Sequence, residues 1–359
     1  MRVHSLRQLN VRNLVTERLV FGLGVTAVVG PNAAGKSNLL EALTLGLEGR
    51  GAGARVADSL RFGCEAGYVG VEVEADDGAH KIEVGLSPGR RRVSLDGQVV
   101  RAIELGRLGG VVLVAPADLE LVHGSPSRRR AFLDHLLGRL SLRYALVVRE
   151  YHRVVDQRNA LLREGDSSGM LATWDARFLV LGREVSALRA RAAAPLAVHA
   201  ARAYDAVAGG EHGFEVRLQR AGGDGDLSAA LAASRTAERE RAVTLVGPHR
   251  DDLELSLGGR SLQAYGSRGE ARTAALALRV AERALLEARH GAPPLLLVDD
   301  VNAELDERRR RFLVTLAEAA PQAIVTGTEP PARAARIWTI ESGRVDTGRP
   351  PQQETADGA

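Results

Sequence analysis

The stretch VVGPNAAGKSNLLEAL, residues 28–43, decides the fold class of this chain. Gly30 to Ser37 spell G-x-x-x-x-G-K-S, a pattern in which glycines let backbone N–H groups turn toward an anion. The short β-branched run before it, residues 24–29, predicts a buried parallel strand, and leucines at helical spacing after it predict a helix. A strand, a glycine loop and a helix in this order predict a nucleoside triphosphate site; the pattern alone could be an ordinary glycine turn before a helix.

The glycine loop supplies the groups that a triphosphate needs. Lys36 would bring a mobile positive charge to the β- and γ-phosphates, and Ser37 would offer a hydroxyl to Mg²⁺. The helix that starts near Gly35 adds the positive end of its dipole and its unpaired N–H groups. The predicted nucleotide-binding residues of this loop are Gly30, Pro31, Asn32, Ala33, Ala34, Gly35, Lys36 and Ser37.

A buried strand that ends in two carboxylates forms the second part of the predicted site. Residues 295–300 read LLLVDD, and such a strand can place an acid beside the metal ion of a P-loop. Asp299 is therefore the predicted Mg²⁺ ligand together with Ser37, and Asp300 is predicted to orient or deprotonate the attacking water. Lys36, Asp299 and Asp300 are the candidate catalytic residues. The alternative is a core strand that ends in a solvated acid pair.

A further anion-binding element stands some thirty residues before the acidic strand. Ser267, Gly269 and Glu270 open a strongly helical segment, and backbone N–H groups at a helix start bind anions. A serine in that place is by itself an ordinary N-cap. Its position before LLLVDD predicts that the three residues belong to the nucleotide site.

The composition permits a full hydrophobic core and excludes several classes of protein. The chain has 359 residues, 45% of them hydrophobic, and a formal net charge of +3. Its single cysteine, Cys64, excludes an internal disulfide and a cysteine-rich metal site. Because no apolar run approaches the ~18 residues of a membrane span, we expect a cytoplasmic protein with no membrane association. The charge balance allows nucleic-acid binding through a local patch without requiring it.

The chain reads as a head, a helical insertion and a tail. Alternating residues after the first helix predict an antiparallel meander, and helical, arginine-rich segments begin near Ser125. One predicted helix of this region runs from about Leu171 to Ala208. We expect an α/β head at residues 1–118 and 241–345, a helical arm or lobe at 119–240, and a disordered tail at 346–359.

Together these motifs resemble the ABC-type ATPases, and within that class the RecF family of recombinational-repair proteins, which is related to SMC head domains. The strings that carry the resemblance, in the family order, are GPNAAGKSNLLEAL, SPSRRRAFLD, GPHRDDLELSL, SRGEARTAALAL and LLLVDDVNAELD. They span residues 30 to 306. The resemblance implies an α/β fold, namely an ABC-type ATPase head built on a mixed sheet with its P-loop, plus a helical arm or lobe.

The resemblance also implies a mechanism shared by two copies of the chain. Two heads would enclose two ATP molecules with Mg²⁺, so that Ser267, Gly269 and Glu270 of one copy meet the γ-phosphate held by Lys36 of the other. It implies ATP-driven dimerisation on single-stranded, duplex or junction DNA, with slow DNA-dependent ATP hydrolysis. It further implies loading of the mediators RecR and RecO in recombinational repair, replication restart and the SOS response, at the nucleoid.

Three positions depart from the pattern of transporter-type ATPases. Asp300 stands in place of a glutamate, Thr326 and Thr328 stand where a switch histidine is expected, and no glutamine follows the strand at 110–115. The shorter side chain of Asp300 is consistent with slow turnover. These departures and the long helical arm disfavour the alternative of a membrane transporter's nucleotide-binding subunit. The intact catalytic residues disfavour an inactive scaffold that only binds ATP.

Arginine-rich segments are candidate contacts for the DNA backbone, which would give salt-sensitive and sequence-independent affinity. Only 4% of residues are aromatic, so we expect no platform for base stacking. The alternative for each arginine is a solvated helix face. The candidates are Arg55, Arg61, Arg128, Arg129, Arg130, Arg143, Arg149, His152, Arg153 and Arg158. His249, in the string GPHRDD, receives no predicted role.

Overall fold

The computed structural model describes residues 1–51, 56–165, 169–223, 225–301 and 306–348, without the side chains of 56 and 57. The strands are β1 (Arg2–Leu9), β2 (Arg18–Val20), β3 (Gly24–Val29), β4 (Gly67–Ala75), β5 (Gly78–Ser87), β6 (Arg90–Leu95), β7 (Gln98–Val100), β8 (Val111–Val114), β9 (Phe214–Gln219), β10 (Asp252–Leu257), β11 (Arg260–Ser261), β12 (Leu295–Val298), β13 (Gln322–Gly327), β14 (Arg336–Glu341) and β15 (Arg344–Asp346). The helices are α1 (Lys36–Glu48), α2 (Glu120–His123), α3 (Pro126–Leu140), α4 (Leu142–Glu164), α5 (Leu171–Ala208), α6 (Leu227–Arg241), α7 (Leu262–Tyr265), α8 (Arg268–His290) and α9 (Glu307–Glu318). Among these described helices, none has the length and apolarity to cross a bilayer.

The chain forms two compact units. The first contains residues 1–116 and the chain from 292 onward, and the second contains residues 117–291. The first division falls after residue 116, where the sequence placed a boundary at 118, and residues 241–291, expected in the head, lie in the second unit. Most of the expected tail, from residue 349, lies outside the described residues.

A mostly parallel sheet positions the glycine loop in the first unit. Its strand order is β15-β14-β3-β13-β12-β8, and all of these strands except β15 run parallel to their neighbours. Every residue of β12 and β13 is buried, as expected for apolar strands covered on both faces. Because β3 and β12 both flank β13, the loop after β3 and the acids after β12 leave the sheet at the same edge.

The second sheet of this unit is antiparallel, in the order β2-β1-β4-β5-β6-β7. Alternate residues of its central strands are buried, so that Val71, Val84 and Val93 belong to the core while their neighbours face outward. Helix α1 packs on the buried face: a Cβ on Gly46 would lie 2.2 Å from Cγ2 of Val71. The close approach explains why a helix interior contains a glycine there.

Helices and a three-stranded sheet, β11-β10-β9, make up the second unit. Helix α5 has the predicted bounds, Leu171–Ala208, and packs against α4 and α8. Strand β10 pairs with β9 from Asp252↔Gln219 to Leu257↔Phe214. This pairing crosses the boundary expected at residue 241, and it is the physical reason why residues 241–291 belong with the helical unit.

Candidate nucleotide-binding site

The glycine loop between β3 and α1 has the backbone conformation that its sequence requires. Gly35 has a φ of 113° and Ala33 a φ of 64°, both in the left-handed region. A Cβ on Gly35 would lie 2.7 Å from Oδ1 of Asn13, and one on Gly30 would lie 2.2 Å from the carbonyl oxygen of Ile340. Both glycines are therefore needed sterically, and Gly35 is needed conformationally as well.

The ammonium group of Lys36 lies inside this loop. Its Nζ donates hydrogen bonds to the carbonyl oxygens of Gly30 at 2.7 Å and Pro31 at 3.0 Å, and the residue is 7% exposed. Carbonyl groups are weaker partners for an ammonium than anionic phosphate oxygens, since charge-assisted hydrogen bonds are the stronger ones. Lys36 is thus held in the loop and can exchange carbonyl partners for a phosphate.

The two predicted halves of the metal site meet in the structure. Ser37 Oγ donates to Oδ1 of Asp299 at 3.0 Å, and Thr326 Oγ1 donates to the same oxygen at 2.8 Å. The backbone N–H of Asp300 in turn donates to Thr326 Oγ1 at 2.8 Å. Asp300 has a φ of 52°, so its backbone turns sharply at the end of the strand. Thr326 therefore links both acids, a role that its place in the switch segment did not predict.

A hydroxyl and a carboxylate oxygen suit Mg²⁺, which prefers oxygen ligands. The described part of the chain holds no cluster of three or more histidine, cysteine or acidic side chains arranged for a metal. That donor set fits a magnesium ion that takes its other ligands from phosphate and water. Ser37 and Asp299 are the residues that would hold it.

Asn13 supports the loop, and sequence reasoning did not identify it. Its Nδ2 donates to the carbonyl oxygen of Ala34 at 3.4 Å, and its Oδ1 accepts from Nδ2 of Asn38 at 2.8 Å. The backbone N–H of Gly343 donates to the same Ala34 carbonyl at 2.7 Å. Asn13 follows β1 and is far from the loop in sequence, so no local pattern signals the contact.

The predicted third element forms the start of α8 in the second unit. Ser267 is the N-cap: its Oγ accepts from the N–H of Glu270 at 3.2 Å, and its own N–H donates to the Glu270 carboxylate at 2.8 Å. This backbone hydrogen bond from Ser267 holds the pKa of Glu270 below its ordinary value. Gly269 lies in the first turn, and its carbonyl accepts from Thr273 Oγ1 at 3.0 Å. The contact of Ser267, Gly269 and Glu270 with a nucleotide stays a prediction.

Two of the candidate DNA-contacting arginines are buried ion-pair partners, and the prediction for them was wrong. Arg129 is 2% exposed, and its Nε and Nη2 reach the two carboxylate oxygens of Asp252 at 2.7 and 2.8 Å. Arg158 is 1% exposed and donates to Asp175 at 2.8 Å and Glu238 at 3.0 Å. The reason is that their carboxylate partners come from distant parts of the chain.

The remaining candidates differ in their surroundings. Arg61 donates to the carbonyl oxygen of Leu14, and Arg130 donates to that of Asp251 at 2.7 Å. Arg143 pairs with Glu184 at 2.7 Å but is exposed. The side chains of Arg128, Arg149, His152 and Arg153 are exposed as well, and Arg55 lies outside the described residues.

The fold and the hydrogen bond between Ser37 and Asp299 define the class of this protein, an ABC-type ATPase head. A family model described as the RecF/RecN/SMC N terminal domain matches residues 2–335. The SMC head domain of Pyrococcus furiosus has the same fold, with a TM-score of 0.54 and 17% identity over 96% of this chain and 95% of that one.

Relatives that match over nearly the whole length of both chains identify the family within this class. The DNA replication and repair protein RecF of Deinococcus deserti is 45% identical over 96% of this chain and 95% of its own length, and that of Deinococcus radiodurans is 44% identical over the same shares. A solved structure of the recombination mediator protein RecF-ATP in the RecFOR pathway superposes with a TM-score of 0.89, at 29% identity, over 97% of this chain and 98% of that chain. The chain belongs to the RecF family.

Proposed function

We propose that this chain is an ATP-dependent DNA-binding protein of recombinational repair and replication restart, with a slow ATPase activity that depends on DNA. The observation that carries the proposal is the 3.0 Å hydrogen bond from Ser37 to Asp299, which joins the glycine loop to the acidic strand. The similar proteins of the two Deinococcus species are DNA replication and repair proteins, and a similar solved structure is that of RecF-ATP; both support the proposal. They give no support to the alternative of a transporter subunit.

In this proposal each residue of the site has one task. Lys36 binds the β- and γ-phosphates, and the loop N–H groups orient them. Mg²⁺ held by Ser37 and Asp299 would offset phosphate charge. Asp300 accepts the proton of the attacking water while the bond between γ-phosphorus and the bridging oxygen breaks, which yields ADP and phosphate. Thr326 keeps both acids in place through its two hydrogen bonds.

The proposed partner in catalysis is a second copy of the chain. Ser267, Gly269 and Glu270 of one copy would contact the γ-phosphate bound by the other, so that dimerisation reports ATP occupancy and hydrolysis reverses it. DNA, single-stranded, duplex or at junctions, and the mediators RecR and RecO complete the proposed set of partners. The proposed location is the cytoplasm, at the nucleoid.

Three substitutions separate these tasks. We expect Lys36→Ala to lose ATP binding, and Asp300→Asn to keep ATP binding and ATP-dependent dimerisation while hydrolysis falls by about 100-fold or more. We expect Ser267→Arg to bind ATP as a monomer, since the longer side chain blocks the second copy. Nucleotide binding by fluorescence titration, dimerisation by sedimentation velocity and phosphate release measure the three steps.

Ser127→Arg is the control for Ser267→Arg, because Ser127 is an exposed serine in the first turn of another helix, α3. It is expected to dimerise with ATP like the unmodified protein. If Ser267→Arg dimerises as well as Ser127→Arg, the shared site is refuted. If Asp300→Asn hydrolyses ATP at the unmodified rate, Asp300 is not the base.

A further inference from the structure

The outer face of the antiparallel sheet carries arginines at its two ends. On the side of β2 and β1, Arg18 lies directly opposite Arg7 in the strand pairing. On the side of β6, Arg92 pairs with Gly85 and Arg90 pairs with Ser87. All four arginines are exposed. We call this set, Arg7, Arg18, Arg90 and Arg92, the arginine face.

The strand registers place these four side chains on one surface. Arg7 is paired with Gly70, which is paired with Glu83 on β5, so these residues lie in one row across the sheet. The next row contains Tyr68, Gly85 and Arg92. Residues between them in sequence, such as Val69 and Val84, are buried on the opposite side. The arginine face therefore lies outward, away from the core.

Carboxylates on this surface are already occupied. Glu83 pairs with Lys81 at 2.8 Å and accepts a hydrogen bond from the Tyr68 hydroxyl at 2.7 Å, and these two contacts lower the pKa of Glu83. Glu72 accepts from Ser5 Oγ at 2.7 Å. Within the described ranges, no ion pair joins the arginine face to any acid, so its positive charge is uncompensated.

Part of the surface between the arginine pairs is low and open. A Cβ built on Gly85, which pairs with Arg92, would meet nothing within 4 Å. In the neighbouring row the Tyr68 hydroxyl covers Gly70, where a Cβ would lie 2.4 Å from it. Three strand spacings separate Arg7 from Arg92, which is about 14 Å across the strands. A major groove of B-form DNA is about 12 Å wide between its flanking backbones.

We propose that the arginine face binds the phosphate backbone of duplex DNA, with Arg7 and Arg18 on one side of a groove and Arg90 and Arg92 on the other. This inference rests on the proposed function and names the surface that it uses. Arginine suits such contacts because its planar guanidinium can donate two hydrogen bonds to one phosphate. The contacts are with phosphate only, so binding is independent of sequence and sensitive to salt.

The first test removes the charge of the arginine face. A variant with R7Q, R18Q, R90Q and R92Q is compared with a control that carries R177Q, R183Q, R217Q and R311Q. The control loses the same four charges from exposed arginines that each pair with an acid, at 2.7 to 3.7 Å. Fluorescence anisotropy with a labelled duplex, with ATP and at several salt concentrations, gives the affinity and its salt dependence.

We expect the arginine-face variant to bind duplex DNA roughly 100-fold more weakly and to lose about 3 to 4 from the slope of log K against log salt concentration. The control is expected to keep most of its affinity and slope. Equal affinity of the two variants overturns the proposal, and so does a loss confined to single-stranded DNA. Unmodified protein that binds no DNA with ATP overturns the proposed function, and with it the arginine face.

A second test adds a charge instead of removing one. Gly85→Glu places a carboxylate in the open space at Gly85, next to Arg92, and Gly85→Gln places a neutral side chain of the same size there. We expect Gly85→Glu to weaken duplex binding by about 10-fold relative to Gly85→Gln, because like charges repel. ATP-dependent dimerisation is measured in both as a check on folding. Equal affinities of the two variants contradict the proposal.

Discussion

Arginines in the two units of this chain differ in what neutralises them. In the second unit, Arg189 is fully buried and donates to Asp134 at 2.7 Å, to Asp251 at 3.0 Å and to the hydroxyl of Tyr144 at 3.0 Å. On the sheet of the first unit, the arginine face is exposed and has no acidic partner among the described residues. Buried pairing makes an arginine structural, whereas exposed and uncompensated charge makes it available to an anionic partner.

The residues of the string GPHRDD have structural roles in the second unit. Asp251 accepts from Arg189 and from the N–H of Ala221, while Asp252 receives both guanidinium contacts of Arg129. His249 accepts from the Tyr151 hydroxyl at 2.8 Å and donates through Nε2 to the carbonyl oxygen of Thr244 at 3.2 Å. The string thus joins the loop before β10 to helices α3, α4 and α5.

The largest expected effect comes from removing a buried partner. Arg189→Met should lower the free energy of unfolding of the second unit by about 3 to 5 kcal/mol, because the buried carboxylate of Asp251 loses its cation. Trp174 lies in the second unit and Trp338 in the first, and they are the two tryptophans of the chain. Urea unfolding followed by Trp174 fluorescence, in a Trp338→Phe background, measures the change.

Arg183→Met in the same background is the control, because Arg183 is exposed and pairs with exposed Asp226 at 2.9 Å. We expect it to cost less than about 1 kcal/mol, as exposed ion pairs do. A loss below about 1 kcal/mol for Arg189→Met as well would show that the buried pairs are not what distinguishes the second unit.

A smaller effect should appear as a pH dependence. Burial, together with the positive charges of Arg250 and His152, lowers the pKa of His249 to about 4, whereas the same group in the unfolded chain titrates near its ordinary 6.5. Neutral His249 therefore adds stability that is complete above pH 6.5 and lost as the pH falls toward 4. The full contribution is at most about 3 kcal/mol.

His249→Gln should flatten the stability of the second unit between pH 6.5 and 4, relative to the unmodified chain, because glutamine does not titrate. His123→Gln replaces an exposed histidine and is expected to leave the slope unchanged. Parallel slopes for His249→Gln and the unmodified chain would mean that His249 is not held neutral by burial. Urea midpoints at a series of pH values give the comparison.

Local sequence predicted the parts of the fold that depend on neighbours in the chain. The strand, loop and helix around Lys36 occur as expected, and the convergence of Ser37 with Asp299 follows from two familiar motifs. Helix α5 has its predicted bounds because its apolar residues repeat at helical spacing. Each of these features depends on residues close together in the chain, or on a motif that also specifies the strand and helix around it.

Features that depend on distant partners were not predicted. Asp252 lies 123 residues from Arg129, so the three arginines 128–130 looked alike in sequence although only one of them is buried. The supporting role of Thr326 depends on the pairing of β12 with β13. The arginine face depends on strand register, which brings Arg7 and Arg92 to one surface from separate strands. Such relations exist only once the sheet has formed.

The smallest expected effect compares an arginine of the arginine face with an arginine that pairs with an acid. Arg7 and Arg18 are like charges directly opposite each other, which destabilises a strand pair. Arg18→Glu replaces the repulsion with an attraction, so the first unit should gain about 0.2 to 1 kcal/mol, while duplex binding weakens. Trp338 fluorescence in a Trp174→Phe background measures the stability of that unit.

Arg2→Glu provides the opposite case on the neighbouring strand β1, because Arg2 already pairs with Glu74 at 3.7 Å and the substitution creates a like-charge pair. It should lose stability by a similar small amount and leave duplex binding close to that of the unmodified chain. Reversing the charge of an arginine that stabilises the fold through an ion pair should lower the stability of the first unit, not raise it. If Arg18→Glu destabilises the first unit as Arg2→Glu does, Arg18 has a structural partner, and the distinction between paired and available arginines fails at that position.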